Sequence, residues 1–83
     1  MHDSENLRYI GTNKIINLSP KENELLEILI KNKEHIVSFD FLTKQLYPEA
    51  FSNKGVLLLV HRLRKKLKGE VIIKTKHRLG YII

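Results

Sequence analysis

Residues 54–83, KGVLLLVHRLRKKLKGEVIIKTKHRLGYII, restrict the fold more than any other part of the chain. They read as a basic amphipathic helix that runs at once into a β-hairpin with a basic tip. At about 100° per residue, Val56, Val60, Leu63 and Leu67 fall on one stripe, with Leu59 on its edge. That stripe is the expected core side of a helix over residues 54–68, stopped by Gly69. The opposite arc holds Leu58, His61, Arg62 and Lys65, flanked by Leu57 and Lys68. Residues 71–75 and 80–83 then read as two strands joined by Lys76, His77, Arg78 and Leu79.

Charge divides the chain in the same place. Residues 54–83 hold nine basic groups (Lys54, Arg62, Arg64, Lys65, Lys66, Lys68, Lys74, Lys76, Arg78) against Glu70 alone, a net of +8. Residues 1–53 hold six basic groups and eight acids, a net of −2, so the total of +6 conceals a strong polarity. One end is suited to a polyanion and the other is not.

Upstream, residues 7–10 and 14–18 are short runs of β-formers around Gly11, Thr12 and Asn13. They predict a hairpin over about 7–18, with Gly and Asn free to take positive φ in its turn. Ser19-Pro20-Lys21-Glu22 has the form of a capping box with proline at the first helical position. It starts a helix over about 20–32 whose apolar face carries Leu25, Leu26, Ile28, Leu29 and Ile30. Ile36-Val37 is a short strand or bridge. Ser38 is a second N-cap, opening a helix over 39–47 with Phe41, Leu42, Gln45 and Leu46, ended by Pro48. Residues 48–53 connect to the third helix, which Ser52 or Asn53 is placed to cap. The expected fold class is α+β: a short N-terminal hairpin, three helices and a C-terminal hairpin over 71–83, all in one domain.

Eighty-three residues suffice for one small core and not for a two-domain enzyme. There is no cysteine, so neither disulfides nor thiolate metal sites are available, which is compatible with a reducing cytoplasm. His2, His35, His61 and His77 lack metal-ligand spacing, and no Gly-rich phosphate loop occurs. Ser19 and Ser38 read as caps, and Glu22, Glu24 and Glu27 as a capping residue with a solvated helix face. Neither catalysis, a metal nor a cofactor is expected. The longest apolar run has five residues, against the roughly 18 needed to span a bilayer. The polar N-terminus MHDSEN does not read as a secretory signal.

A Lys/Arg-rich face on an isolated helix reads as a solvated surface, and Leu57 with Leu58 as a subunit contact. The adjoining basic hairpin shifts this balance toward a winged helix-turn-helix. In that arrangement a helix enters the major groove while a ribbon reaches backbone or minor groove. A helix of about 15 residues is about 22 Å long and fits a groove about 12 Å wide. Arg62 suits guanine, Leu58 a thymine methyl, and Lys65 and Arg64 phosphates.

These residues resemble the OmpR/PhoB-type winged-helix output domains of bacterial two-component response regulators, from Leu18 to the C-terminus. Leu18-Ser19-Pro20-Lys21-Glu22 with Leu25-Leu26 is similar to the family's opening L-T-P-x-E-F-x-L-L. Val37-Ser38 and Leu42 fall where it has V-S-R-E-x-L, with Tyr47 in a place often held by Trp. Val56, Leu58, Val60, Arg62, Leu63, Arg64, Lys65, Lys66 and Leu67 track R-T-V-D-V-H-I-x-R-L-R-K-K-L, and Ile73, Thr75, Gly80 and Tyr81 match I-x-T-V-R-G-x-G-Y.

The resemblance implies a cytoplasmic transcription regulator that binds double-stranded DNA, usually as a dimer on direct repeats. It implies base-reading positions at Leu58, His61 and Arg62, and phosphate contacts near Lys54, Arg64, Thr75 and Tyr81. Tyr81 carries packing and phosphate contact as equal alternatives. A wing basic residue in the minor groove is implied; with Lys76 beside them at the wing tip, that role falls to Arg78, to His77 or to neither. RNA polymerase contacts the loop equivalent to 48–53 in some members, with Phe51 and Glu49 as the contact candidates here, and for Phe51 packing beneath that loop is expected ahead of contact. The chain departs from the pattern at Gly55, where Thr is usual, at Leu57 and Leu59, and at His77-Arg78, where Arg-Gly is usual. Gly55 predicts a less firmly anchored start to the third helix. The N-terminal sheet, normally four-stranded, is expected to be about one hairpin. No receiver domain or phosphoacceptor aspartate is expected among these residues, which suit an excised output domain or a stand-alone binder. The competing classes are a protein-interaction module built on Leu57, Leu58 and loop 48–53, and an RNA or membrane-surface binder. The hairpin beside the helix argues against a flat membrane.

Overall fold

The capping box at Ser19 does in three dimensions what its spacing predicts. In a computed structural model describing all 83 residues, Ser19 Oγ accepts the Glu22 amide at 3.2 Å and Glu22 Oε1 accepts the Ser19 amide at 2.8 Å. These bonds satisfy donors that the first helical turn leaves unpaired. Helix α1 (Pro20–Lys31) buries Leu25, Leu26 and Leu29 completely. Ser38 likewise accepts the Phe41 amide at 3.1 Å and opens α2 (Phe39–Leu46). Here Leu42 and Leu46 are buried, while Phe41 stays half-exposed and Phe39 packs instead against the core. Helix α3 (Lys54–Leu67) buries Val56, Val60, Leu63 and Leu67, and Leu59 with them.

Two antiparallel sheets flank the helices. The N-terminal one has three strands, β1 (His2–Asp3), β2 (Arg8–Ile10) and β3 (Ile15–Asn17), in that order. The sequence leads one to expect only the β2–β3 hairpin. The added β1 pairs His2 with Tyr9 and Asp3 with Arg8, while the Met1 ammonium donates to Ile10 O at 2.7 Å. His2 and Ser4 then bond to Asn23, a buried polar residue of α1. A two-residue polar strand has no alternation to read; it forms because α1 supplies partners on its side. The turn of the β2–β3 hairpin also differs from expectation. Gly11 and Asn13 keep negative φ, and the left-handed residue is Leu7, at 53°, just before β2.

The second sheet runs β4 (Val37–Ser38), β6 (Gly80–Ile82), β5 (Lys74–Lys76), so the C-terminal hairpin is stitched to the entry of α2. Gly80 is required at that seam, because a Cβ there would lie 1.9 Å from Val37 O. Residues 71–73 were expected to begin β5 and do not. Ile73 is buried and its carbonyl is taken by the Arg64 guanidinium, so pairing starts one residue later.

Helix α3 departs from its predicted ends in two ways. Asn53 occupies the N-cap position, but its side chain makes no cap bond; it accepts from Thr43 Oγ1 at 2.7 Å and donates to Asp40 Oδ1 at 3.3 Å. The turn of the helix-turn-helix is thereby tied to α2. At the other end Lys68 is itself left-handed, with φ 47°, ahead of Gly69 at 88°.

Candidate nucleic-acid interface

Burying one stripe of α3 forces the other outward. Leu58, His61, Arg62 and Lys65 are all exposed, Leu58 at 57%. Leu57 stands beside them at 46%. Lys54 is exposed at the amino end of α3, where its charge adds to the positive end of the helix dipole. Gly55 behind it lets the Tyr47 ring close in, since an added Cβ would meet that ring at 3.1 Å. This close approach and the Asn53 bonds to α2 are the anchors of a helix start where glycine alone predicts a loose one.

The hairpin continues this surface. Lys74, Thr75 and Lys76 are all exposed, as are His77 and Arg78 at the tip. Arg78 adopts φ 61°, a left-handed conformation in the position where the resembled pattern carries glycine. For a side-chain-bearing residue this costs about 1–2 kcal/mol. The tip leans on α2, with the Phe39 amide donating to Leu79 O at 3.3 Å. Arg78 thereby borders a hollow of about 380 Å³ shared with Ser38, Asp40 and Asn53.

Electrostatically the face is unsatisfied within the domain. The three ion pairs present are Arg8–Asp3, Lys31–Glu27 and Lys66–Glu22. Of the nine basic residues in 54–83, therefore, only Lys66 has a carboxylate partner. Lys54, Arg62, Lys65, Lys68, Lys74, Lys76 and Arg78 repel one another unrelieved, an arrangement that a polyanion relieves.

Three residues picked from sequence behave differently from the rest. Arg64 folds across to the wing while staying exposed: Nε and Nη2 donate to Ile73 O at 3.1 and 2.6 Å, and Nη2 donates to Thr75 Oγ1 at 2.8 Å. Its Nη1 protons remain free for an outside acceptor. Tyr81 is buried, with its ring edge-on to Phe39 at 5.2 Å and the Arg64 guanidinium 5.5 Å from its centroid. Burial pushes the Tyr81 hydroxyl above its ordinary pKa, against the pull of Arg64. That hydroxyl bonds to no protein group, and since no buried polar side-chain atom is left without a partner, it keeps access to solvent. Phe51, expected to pack beneath its loop, stands fully in solvent.

Sequence reasoning missed the Lys66–Glu22 lock. Lys66 Nζ lies 2.6 Å from Glu22 Oε1 and 3.3 Å from Asn17 O, so it leaves the basic face to hold α3 against α1. Burial pushes the Glu22 carboxyl up, but Lys66 and the Ser19 amide together outweigh it and hold the group below its ordinary value.

Three helices, a β-hairpin wing and a basic outward face on α3 make this a winged helix-turn-helix domain. The chain belongs to the family of transcriptional regulatory protein C-terminal domains, which matches over residues 12–83 and is regulatory rather than catalytic. The transcriptional regulatory protein QseB of Escherichia coli O157:H7 is 36% identical over 70 residues, covering 82% of this chain and 32% of QseB. The chain thus spans about a third of the length of the curated relatives it matches. Among solved structures, the DNA-binding domain of Bacillus subtilis CssR superposes with a TM-score of 0.75 at 31% identity, over 83% of this chain and 80% of that one. The DNA-binding domain of AdeR, solved in complex with an intercistronic region, has a TM-score of 0.84 at 22% identity, over 100% of this chain and 91% of that one. At that identity AdeR speaks for the fold. No helix is long and apolar enough to cross a membrane.

Proposed function

We propose that this domain binds double-stranded DNA as the output domain of a bacterial transcriptional response regulator, in the cytoplasm. The observation that carries the reading is the set of eight basic residues without a carboxylate partner, spread from α3 into the wing. In this reading α3 enters the major groove with Leu58, His61 and Arg62 toward the bases. Lys54, Arg64, Lys65, Thr75 and the Tyr81 hydroxyl take phosphates, and Lys76, His77 and Arg78 lie at the backbone or the adjoining minor groove. A single domain of this size binds weakly alone, and a homodimer on DNA supplies the second half-site.

The test is an amide NMR titration with a mixed-sequence duplex at low and moderate salt. Shifts are expected in residues 54–66 and 75–81, weakening steeply with salt. No shift in either segment at either salt would remove DNA binding as the function.

The fully exposed Phe51 favours one addition, RNA polymerase contact through residues 48–53. Phe51→Ala should leave DNA affinity unchanged and lower activated transcription in a reconstituted assay. Unchanged transcription would discard the polymerase contact and leave the DNA reading intact.

A further inference from the structure

Strand β5 has almost nothing of its own to hold it in place. It lies at the edge of its sheet, and Lys74, Thr75 and Lys76 are all exposed, so none of its side chains anchors it in the core. Its ladder with β6 is three residue pairs long, and a ribbon that short is marginal by itself. Two features hold its entrance: the Ile73 side chain, buried in the common core, and Arg64 of α3. Arg64 spends three of its five donors there. Two share the Ile73 carbonyl and one takes the Thr75 hydroxyl, with the guanidinium set beside the Tyr81 ring of the neighbouring strand.

We propose that Arg64 is a positioning residue that locks the wing to the recognition helix, so that the spacing between the two DNA-contacting elements is set by bonds within the domain. The proposal rests on the DNA-binding reading above. Its chemistry explains why the residue is arginine. A planar fork can bond the carbonyl and the hydroxyl together while lying beside an aromatic ring, whereas a lysine ammonium is a point charge that reproduces neither the fork nor the stack. The contacts also cross from α3 to both wing strands, reaching β5 by the hydrogen bond to Thr75 and β6 by the approach of the guanidinium to the Tyr81 ring. A rotation of α3 that shifts Arg62 therefore carries the wing with it.

Two experiments on the 83-residue chain test this separately from DNA binding itself. In the free domain, residual dipolar couplings of the helices and of residues 74–82 should fit one alignment tensor. In Arg64→Met and Arg64→Lys the wing should need its own tensor or show lowered order. A single tensor in both variants overturns the proposal whatever the DNA result, and a lysine that restores the wild-type tensor overturns it too. On a labelled 20-base-pair mixed-sequence duplex, Arg78→Ala should weaken wild-type binding several-fold, but by less than about twofold in either Arg64 background, because a loose wing has already lost that contact. Lys54→Ala, at the far end of α3, should cost the same in every background. If Arg78→Ala and Lys54→Ala are both additive with Arg64, the residue is a phosphate contact only. If the wild type shows no salt-dependent binding, the DNA reading falls and the tensor comparison alone judges the positioning role. Should Arg64→Met fail to fold, Arg64→Lys and Thr75→Val, which removes one of the three bonds, carry both arms.

Discussion

Replacing Glu22 by glutamine keeps the shape of the side chain and an oxygen for the Ser19 amide, and removes only the charge. In the native domain that carboxylate is 3% exposed and accepts from Ser19 at 2.8 Å and Lys66 at 2.6 Å. A charge-assisted bond of this kind contributes about 1.5–3 kcal/mol. The Lys66 side chain is 42% exposed and can turn to water when released, which reduces the loss. Together these give a destabilisation of about 1–2 kcal/mol, or a fall in Tm of about 4–15 °C for a domain of this size. The pH dependence follows from linkage. The carboxyl is held below its ordinary value of 4.5 in the fold, so its contribution is full above that value. It disappears as pH falls through the lowered folded value. Urea unfolding followed by circular dichroism should therefore show the gap between wild type and Glu22→Gln at pH 7, and a smaller one at pH 2.5. A Lys66→Met cycle at pH 7 should recover about 1 kcal/mol of coupling. An equal gap at both pH values, or no coupling to Lys66, would refute the ion-pair account and leave only a cap.

Gly80→Ala should cost about 1–3 kcal/mol and detach the wing from α2, because the new methyl meets the Val37 carbonyl; wild-type amide shifts across residues 74–82 would contradict it. Arg78→Gly relieves a left-handed backbone and should raise stability by up to about 1 kcal/mol in thermal melts, while weakening duplex binding through the lost cation. Arg62→Ala should relax base preference by about 1–3 kcal/mol at one position in a competition assay. Lys54→Ala should weaken all duplexes alike and reduce the salt slope by about one. An unchanged base preference in Arg62→Ala would move the recognition surface elsewhere.

Elements whose signals lie within a few residues of one another are legible in the sequence. Ser19, Pro20 and Glu22 mark the start of α1 because a cap is a contact across three residues. The α3 stripe marks its core face because burial follows the helical period. The outward basic face followed from the same geometry, so Leu58, His61, Arg62 and Lys65 were legible as a surface before any fold was known. Tertiary structure alone decided what depends on residues far apart in the chain. Strand β1 exists because Asn23 of α1 receives His2 and Ser4. Lys66 leaves the basic face because Glu22, 44 positions away, comes within bonding distance. Arg64 bonds across to the wing because the register of the wing presents the Ile73 carbonyl to it, and Phe51 stands in solvent rather than beneath its loop. The periodicity of α3 says which way a side chain leaves the helix. What that side chain meets is set by the packing of elements whose relative placement no local pattern encodes.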